Sequence, residues 1–240
     1  MIDLYASTTP NVMKITLALV ELGLEFRFLP VNVWKGEQFA DDFVRLNPNA
    51  KVPVLVDNDA AGGPVTVFES VAILIYLAEK SGKLLPKSGP ARYDALQWAV
   101  WQAANFGPAN GQFNHFENYA PGEHAYSKSR YTTELKRLYG VLERRLADAP
   151  FLGGAEFSIA DLATFPWVWS ASNRLKDKYP FLDKASAEHP HIAAWYRRCE
   201  ARPGVARGIE RHLELKSMLA TADPDDLDRI FGRGQYAYRG

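Results

Sequence analysis

A glutamate and a serine stand at the predicted start of a helix. Glu69 and Ser70 precede an apolar run at helical spacing, formed by Val71, Ile73 and Leu74, so Ser70 falls at or near the N-cap position. The first N–H groups of a helix and its positive dipole end favour a carboxylate, and the Glu69 carboxylate beside them favours an ammonium group. An α-amino acid terminus carries both charges, so this pair is suited to bind one.

A proline lies inside a second informative segment, the predicted strand 52–57. Proline cannot donate to a sheet ladder, so Pro53 marks a strand start, an edge or a cis peptide bond. If the bond between Val52 and Pro53 is cis, the backbone N–H and C=O of Val52 can pair with an extended peptide ligand. Taken singly, Ser70 is better explained as a cap and Pro53 as a strand start. Their order and spacing together favour a peptide-thiol binding site.

The elements that must position these residues follow a β-α-β order and then a β-β-α order. The predicted strands span 2–5, 26–31, 52–57 and 66–68, and the predicted helices span 11–22, 38–46 and 70–80. The first two strands need a crossover helix to lie parallel, whereas the last two can form a hairpin. This is the order of an α/β thioredoxin-like domain, which we expect over residues 1–82.

After a linker at 83–90 that is rich in Gly and Pro, the chain becomes helical in character. Apolar residues recur at helical spacing in four further segments, 91–106, 127–146, 158–172 and 192–201. We expect an all-α helical domain over 91–210 and a polar tail over 211–240, since apolar periodicity is lost after Pro203. Two alternatives stay open for the tail, order against a partner subunit or fraying, and Tyr236 and Tyr238 are candidates to cap a cleft.

This combination resembles the glutathione transferase superfamily, whose members bind glutathione through a Val-cis-Pro strand and a Glu-Ser helix start. The resemblance covers most of the chain and implies glutathione as co-substrate, a homodimer, and contacts from Val52, Pro53, Glu69 and Ser70. The single cysteine, Cys199, excludes an internal disulfide and a Cys-x-x-Cys motif, and we interpret it as a packed helix residue. Thiol chemistry would therefore need a thiol that another molecule supplies, and glutathione is the thiol that the resemblance implies.

The catalytic residues that the resemblance implies lie at the first strand–helix junction. Thr9, Asn11 and Lys14 fit the pattern Thr-Pro-Asn-x-x-Lys, which is similar to the nu-class bacterial transferases and their fungal relative, a regulator of nitrogen metabolism. The Thr9 hydroxyl and an amide N–H of Asn11 can each donate to a thiolate, assisted by the helix N-terminus. The alternative is purely structural, because both residues are common caps and Pro10 suits a first turn. Tyr5 lies too early to match a catalytic tyrosine.

Three further glutathione contacts are implied by the nu-class resemblance. Gln38 aligns with a residue that reaches the glycyl end of glutathione, and Lys51 complements the glycyl carboxylate as a point charge. Arg130 matches an arginine that reaches toward glutathione, either within its subunit or across a dimer interface. An ordinary solvated arginine is the alternative, because helix faces commonly carry such charges.

Two features of the helical region are interpreted structurally. Gly107 and Pro108 break the first long helix within segment 105–116, and such a break is tolerated best beside a cleft, so we expect a wall of the second-substrate site or simple packing. Ser158 and Asp161 have the spacing of a capping box, in which each side chain accepts the backbone N–H of the other residue. Replacing Asp161 is expected to cost about 1 kcal/mol or more.

The overall composition excludes several function classes. The 28 basic and 28 acidic residues give a formal net charge of zero, so no global field favours nucleic acid or an anionic membrane. No apolar run approaches the roughly 18 residues of a membrane span, and no leader pattern is seen, so we expect a cytoplasmic protein. The histidines do not share ligand spacing with carboxylates, and no metal site is expected.

The residues and the resemblance together predict a nu-class-like glutathione transferase that reduces disulfide bonds, with weaker conjugation or peroxidase activity. No general base is evident beside Thr9 and Asn11, which suits thiol–disulfide exchange because no proton is taken from carbon. The second substrate is expected to be a small disulfide or an electrophile. One alternative is a non-catalytic, glutathione-binding regulator of the same fold. Another is an isomerase or ether-cleaving enzyme that uses Ser7 or Thr8.

Overall fold

A four-stranded mixed sheet forms the centre of the N-terminal domain. The computed structural model describes residues 1–174 and 188–239. The strands are β1 (Ile2–Ala6), β2 (Phe26–Pro30), β3 (Val54–Asp57) and β4 (Val65–Phe68), in the order β2-β1-β3-β4. β1 pairs parallel with β2 and antiparallel with β3, and β3 pairs antiparallel with β4. The predicted thioredoxin-like order is confirmed, with β3 beginning directly after Pro53.

Helices cover both faces of this sheet. They are α1 (Pro10–Leu22), α2 (Asp41–Leu46) and α3 (Ser70–Ser81). Successive residues of a strand point to opposite faces, so Leu4 joins the main core with α1 and α3 while its neighbour Tyr5 packs edge-on against Phe43 of α2. The predicted helix 38–46 is divided into a 3-10 turn, Glu37–Phe39, and α2.

The C-terminal part is helical, as predicted. Its helices are α4 (Pro90–Trp101), α5 (Gly107–Asn118), α6 (Ala125–Asp148), α7 (Ile159–Arg174), α8 (Pro190–Glu200), α9 (Pro203–Leu213) and α10 (Pro224–Phe231). α7 is buried along most of its length and packs against α1, α3 and α4, which joins the two domains in one core.

Cys199 of α8 is buried, as interpreted, and burial raises the pKa of its thiol. No helix in the described ranges is long and apolar enough to cross a membrane.

The chain after Pro203 is helical, and the prediction that its periodicity ends there is wrong. α9 packs along α1 so closely that a Cβ atom at Gly204 would lie 2.7 Å from the Cα of Glu21. A Cβ atom at Gly208 would lie 3.0 Å from the Cα of Leu17. These glycines permit the close helix contact and also dilute the apolar pattern in the sequence. The helical part therefore extends past residue 210 to the end of α9.

The tail is also folded over most of its described length, through residue 239. It contains α10 and a 3-10 turn at Gly234–Tyr236. The Tyr236 hydroxyl bonds to the Asp225 carboxylate at 3.0 Å within the same segment, and Tyr238 is exposed. Neither tyrosine lines the cleft. Gly240, and residues 175–187 of the predicted helical domain, lie outside the described residues.

The motif at Ser158 and Asp161 forms half of the predicted capping box. The Ser158 N–H donates to Asp161 Oδ2 at 2.9 Å as predicted, but Ser158 Oγ accepts from the Ala160 N–H instead of the Asp161 N–H. Asp161 is fully buried, and its Oδ1 accepts from the Leu152 N–H at 2.9 Å and from Trp195 Nε1 at 2.8 Å. This carboxylate therefore ties α7 to the preceding loop and to α8.

The predicted break at Gly107 and Pro108 takes the form of a π-helical turn. Gln102–Phe106 is π-helical between α4 and α5, and the backbone of Gly107 continues into α5. Pro108 stands in the first turn of α5, where its missing N–H costs little. The helical chain thus continues from α4 into α5 without interruption.

Candidate active site

A cavity of about 740 Å³ lies between the sheet domain and the helical domain. It is lined by the junction after β1, the loops at 33–38 and 50–52, parts of α5 and α7, and the chain after α9. Five predicted site residues line this cavity, namely Thr9, Asn11, Gln38, Lys51 and Val52. The structure therefore brings together residues that are distant in the sequence.

The side chain of Asn11 is oriented by a residue of the other domain. Trp167 Nε1 of α7 donates to Asn11 Oδ1 at 3.2 Å. Because an indole N–H is only a donor, it must face the amide oxygen, and the Asn11 NH₂ group is directed the other way. Trp167 also lines the cavity. It carried no signal in the sequence, where it reads as a packing residue of a buried helix.

Thr9 and Thr8 fix the backbone of the junction. Thr9 is the N-cap of α1, and its Oγ1 accepts from the Val12 N–H at 3.3 Å. Thr9 is therefore a cap, and its hydroxyl proton stays available to a second acceptor, so the cap is compatible with a sulfur contact as well. Arg174 Nη1 donates to the Thr8 carbonyl at 2.8 Å, a second link from α7 to the junction. Ser7 is buried and lines the cavity.

The loop before β3 presents Lys51 and Val52 to the cavity. The peptide bond between Val52 and Pro53 is cis, as predicted. Buried Asn47 supports the loop, because its Nδ2 donates to the Lys51 carbonyl at 2.7 Å. Asn49 Nδ2 lies 3.4 Å from Glu69 Oε1, which places the start of α3 beside this loop.

Gln38 lines the cavity and is itself largely buried. Its Nε2 donates to the Val33 carbonyl at 3.2 Å. Its Oε1 is buried and has no hydrogen-bond partner among the described residues. The bond to Val33 holds the Gln38 side chain against the loop after β2.

The start of α3 has an unusual backbone. Glu69 occupies the cap position with φ of 69°, and Ser70 is the first helical residue, next to the predicted cap. A positive φ at a residue other than glycine costs on the order of 1–3 kcal/mol and is often retained at functional sites. Glu69 is exposed and Ser70 is buried, and neither lines the cavity itself.

A buried lysine lies directly behind Ser70. Lys14 is 1% exposed, and its Nζ donates to Ser70 Oγ at 3.2 Å and to Gln102 Oε1 at 2.5 Å. Burial lowers the pKa of Lys14 to about 7, against the opposing effect of the Glu69 carboxylate. Because Lys14 donates to the Ser70 oxygen, the Ser70 hydroxyl proton points elsewhere and is available to an anion at the helix start.

Gly107, the first residue of α5, leaves room for Gln102, the partner of Lys14. A Cβ atom at Gly107 would lie 2.8 Å from Gln102 Nε2, so glycine is required beside this buried amide.

Asn110, Gly111 and Asn114 of α5 line the cavity, and the predicted wall in segment 105–116 is therefore present. Trp34, Tyr119 and Phe231 also line it, and sequence reasoning missed all three.

Arg130 is not brought to this cavity. It is exposed on α6 and does not line the cavity of its own chain.

Among residues 1–174 and 188–239, no group of three His, Cys, Asp or Glu side chains is placed to hold a metal ion.

Comparison with known families agrees with this geometry. The chain matches the model of the glutathione S-transferase N-terminal domain over residues 2–79 and that of the glutathione S-transferase C-terminal domain over residues 125–198. The chain belongs to the glutathione S-transferase family. The predicted family and fold are therefore confirmed.

Relatives of this glutathione S-transferase include an enzyme named for disulfide chemistry. The disulfide-bond oxidoreductase YfcG of Escherichia coli is 42% identical over 211 residues, which cover 87% of this chain and 94% of the relative. A glutathione transferase from Burkholderia graminis, solved with two glutathione molecules per subunit, gives a TM-score of 0.81 at 38% identity and covers 87% of each chain. One from Pseudomonas putida, solved with one glutathione disulfide per subunit, gives 0.80 at 36% identity and covers 87% of this chain and 90% of that chain.

Proposed function

We propose that this glutathione S-transferase favours the glutathione-dependent reduction of disulfide bonds, with weaker conjugation of electrophiles or reduction of peroxides. The observation that carries the proposal is the hydrogen bond from Trp167 to Asn11, which directs an amide NH₂ group beside the cavity. The relative YfcG is named for this activity. Relatives solved with glutathione or its disulfide support the same co-substrate. A non-catalytic regulator is not favoured, because these three relatives are named as an oxidoreductase or as transferases.

The residues of the site fit the chemical groups of glutathione. The Glu69 carboxylate and the N–H groups at the start of α3 suit the α-ammonium and α-carboxylate of the γ-glutamyl residue. The cis Val52-Pro53 segment suits the extended peptide. Gln38 and the exposed Lys51, which both line the cavity, are proposed to bind the glycyl end. The cysteinyl sulfur would then lie near Thr9 and Asn11, which line the cavity.

The proposed role of the junction is to hold this sulfur as the thiolate. Glutathione supplies the nucleophilic thiol, which is mostly protonated in neutral solution. The Asn11 amide, the Thr9 hydroxyl and the N-terminus of α1 each favour the anion, because all present partial positive charge to it. The proposed reaction is an attack of a thiolate on sulfur. It removes no proton from carbon, so it needs no side chain that acts as a general base on carbon.

The reaction balances with two thiols for each disulfide. The first thiolate forms a sulfur–sulfur bond to one sulfur of the substrate, and the substrate's own bond breaks to release a thiolate, which takes up a proton. A second glutathione thiolate then attacks the glutathione sulfur of the mixed disulfide. The products are glutathione disulfide and two reduced substrate thiols, and no metal or further electron carrier is needed.

The proposal includes a cytoplasmic homodimer in which Arg130 acts across the subunit interface. Arg130 is exposed and away from the cavity of its own chain, so a contact with glutathione would come from a second chain. Sedimentation equilibrium tests the dimer. Loss of glutathione affinity in Arg130→Ala, with dimerisation retained, tests the contact, and unchanged affinity would contradict it.

Steady-state reduction of a small model disulfide, run beside a conjugation assay, tests the proposed reaction. We expect the wild type to favour disulfide reduction and Asn11→Ala to lose most of it. Asn105→Ala is the matched control, because Asn105 is exposed, does not line the cavity, and among the described residues its amide bonds to the Trp101 carbonyl one turn earlier. Ser7→Ala tests the isomerase alternative, since loss of activity there but not in Asn11→Ala would make Ser7 the sulfur ligand. Glutathione binding without turnover in either assay would favour the regulatory alternative.

A further inference from the structure

A buried polar cluster lies where the start of α3 meets α1 and the π-helical turn. Lys14 of α1 is 1% exposed, and its Nζ donates to Ser70 Oγ at 3.2 Å and to Gln102 Oε1 at 2.5 Å. The cluster therefore joins the helix that follows the junction, the proposed γ-glutamyl end of the glutathione site, and the helical domain. The proposed sulfur chemistry at Thr9 and Asn11 makes no use of it.

Burial makes the charge of Lys14 costly. It lowers the pKa of this side chain to about 7, because the ammonium form loses its hydration. An unbranched apolar side chain such as methionine would fill similar space without this cost. The lysine therefore points to a role for the ammonium group beyond packing.

The protonation state of Lys14 determines where the Ser70 hydroxyl proton points. An ammonium group has three donors and no acceptor, so Ser70 Oγ must accept from it, and the hydroxyl proton is directed to another acceptor. A neutral amine has a lone pair that can accept this proton, which would leave the Ser70 oxygen facing the helix start. A hydroxyl donor binds a carboxylate strongly, whereas an oxygen acceptor repels it.

Glu69 is the charged neighbour that acts on Lys14, and its carboxylate favours the ammonium form. Helices α3, α7 and α9 pack against α1. Their other titratable side chains that are at least partly buried are Tyr76, Asp161, Arg211 and His212. Within the described ranges, none of these shifts the pKa of Lys14, and Glu21 of α1 itself is paired with Arg202. A carboxylate bound at the start of α3 would add a second negative charge and favour the ammonium form further.

From these contacts we infer that Lys14 is a positioning residue for glutathione binding, whose ammonium form turns the Ser70 hydroxyl toward the γ-glutamyl carboxylate. Binding of glutathione is then coupled to the uptake of a proton by Lys14. The affinity is highest where Lys14 is charged, and it falls as pH rises through about 7. The inference rests on the proposed function, since it requires the γ-glutamyl carboxylate at the start of α3.

Calorimetric binding of S-methylglutathione tests this coupling, because the sulfur of this thioether carries no titratable proton. Titrations in HEPES and in Tris, which differ in their heat of ionisation, give the number of protons taken up. At about pH 7.5 we expect the wild type to take up about half a proton, and its affinity at about pH 8 to be about fivefold lower than at about pH 6. Lys14→Met is expected to lose this uptake and to bind about tenfold more weakly than the wild type at about pH 6, with little further change as pH rises.

Lys83→Met is the matched control, because Lys83 is exposed and does not line the cavity. It is expected to match the wild type in both proton uptake and affinity. Ser70→Ala keeps Lys14 and removes the hydroxyl, so its proton uptake is expected to fall as well. It provides a second variant if Lys14→Met is unstable.

The outcomes separate this inference from the proposed function. Binding of S-methylglutathione by the wild type without proton uptake would overturn the inference alone. Equal uptake by the wild type and Lys14→Met, or by the wild type and Ser70→Ala, would do the same. Failure of the wild type to bind S-methylglutathione would overturn the glutathione site and the inference with it.

Discussion

Trp167 Nε1 donates to Asn11 Oδ1 across the interface between the helical domain and the sheet domain, at 3.2 Å. The bond sets the orientation of the Asn11 amide, because only its oxygen can accept from the indole N–H. A helix of one domain thus determines which atoms the junction of the other domain presents to the cavity.

Removing only the indole N–H tests this relationship. In Trp167→Phe the aromatic packing is largely kept and the Asn11 amide is released. We expect kcat/KM for disulfide reduction to fall about fivefold, which corresponds to the ~1 kcal/mol of one neutral hydrogen bond. Trp98→Phe, at a partly buried tryptophan that packs against the core away from the cavity, is expected to retain the wild-type value. An unchanged rate in Trp167→Phe would show that Asn11 needs no such orientation.

The Glu69 carboxylate is predicted to bind the α-ammonium group of glutathione. We expect Glu69→Gln to weaken glutathione binding about tenfold, because a charge-assisted contact becomes a neutral one. Since Glu69 is exposed, the affinity of the wild type should also fall more steeply with salt than that of the variant. Calorimetry at two salt concentrations measures both effects. Glu79→Gln, which alters a surface pair with Arg92, is the control, and equal losses in the two variants would refute the assignment.

Buried Lys14 predicts a pH dependence of stability. Its folded pKa of about 7 lies below the ordinary lysine value of 10.5, so between these values the unfolded chain binds more protons than the folded one. The free energy of unfolding of the wild type should therefore gain a contribution as pH rises from about 7 to 10.5, and lose it as pH falls toward 7.

Urea unfolding of Lys14→Met across this pH range tests the prediction. We expect the stability of the wild type relative to the variant to increase with pH, because methionine does not titrate. Ser70, Gln102 and Glu69 face Lys14 and are unchanged in this comparison. The exposed Lys83→Met should follow the wild-type curve. Parallel curves for wild type and Lys14→Met would mean that Lys14 does not titrate in this range.

Asp161 is expected to contribute more to stability than a cap alone. Asp161→Ala would leave three buried donors without their acceptor, on Leu152, Ser158 and Trp195. We expect a loss of about 3 kcal/mol or more in the free energy of unfolding. Asp161→Asn, which keeps the shape and one acceptor oxygen, should lose less. A loss near 1 kcal/mol in Asp161→Ala, measured by urea unfolding, would fit a simple cap instead.

The parts of the molecule that could be predicted depend on local pattern. The order of strands and helices along the N-terminal domain follows from short apolar runs and the need for a crossover helix. Cap chemistry likewise placed Ser70 at the start of α3. Thr9 and Asn11, in contrast, were implied by the family resemblance.

The parts that could not be predicted depend on distant contacts. Trp167 and Arg174 reach the junction from α7, and in the sequence they are indistinguishable from packing or surface residues. Gly204 and Gly208 interrupt the apolar pattern of α9, and only the packing of α9 on α1 shows that they permit a close helix contact. Phe231 lines the cavity only because the chain after α9 folds back to it.

The central claim is that Asn11 donates to the glutathione sulfur and favours its thiolate. Titration of bound glutathione, followed by the ultraviolet absorbance of the thiolate, measures this directly. We expect the midpoint to lie below that of free glutathione in the wild type and in Asn105→Ala, and to move toward the free value in Asn11→Ala. The same midpoint in the wild type and Asn11→Ala, with glutathione bound in both, would contradict the claim.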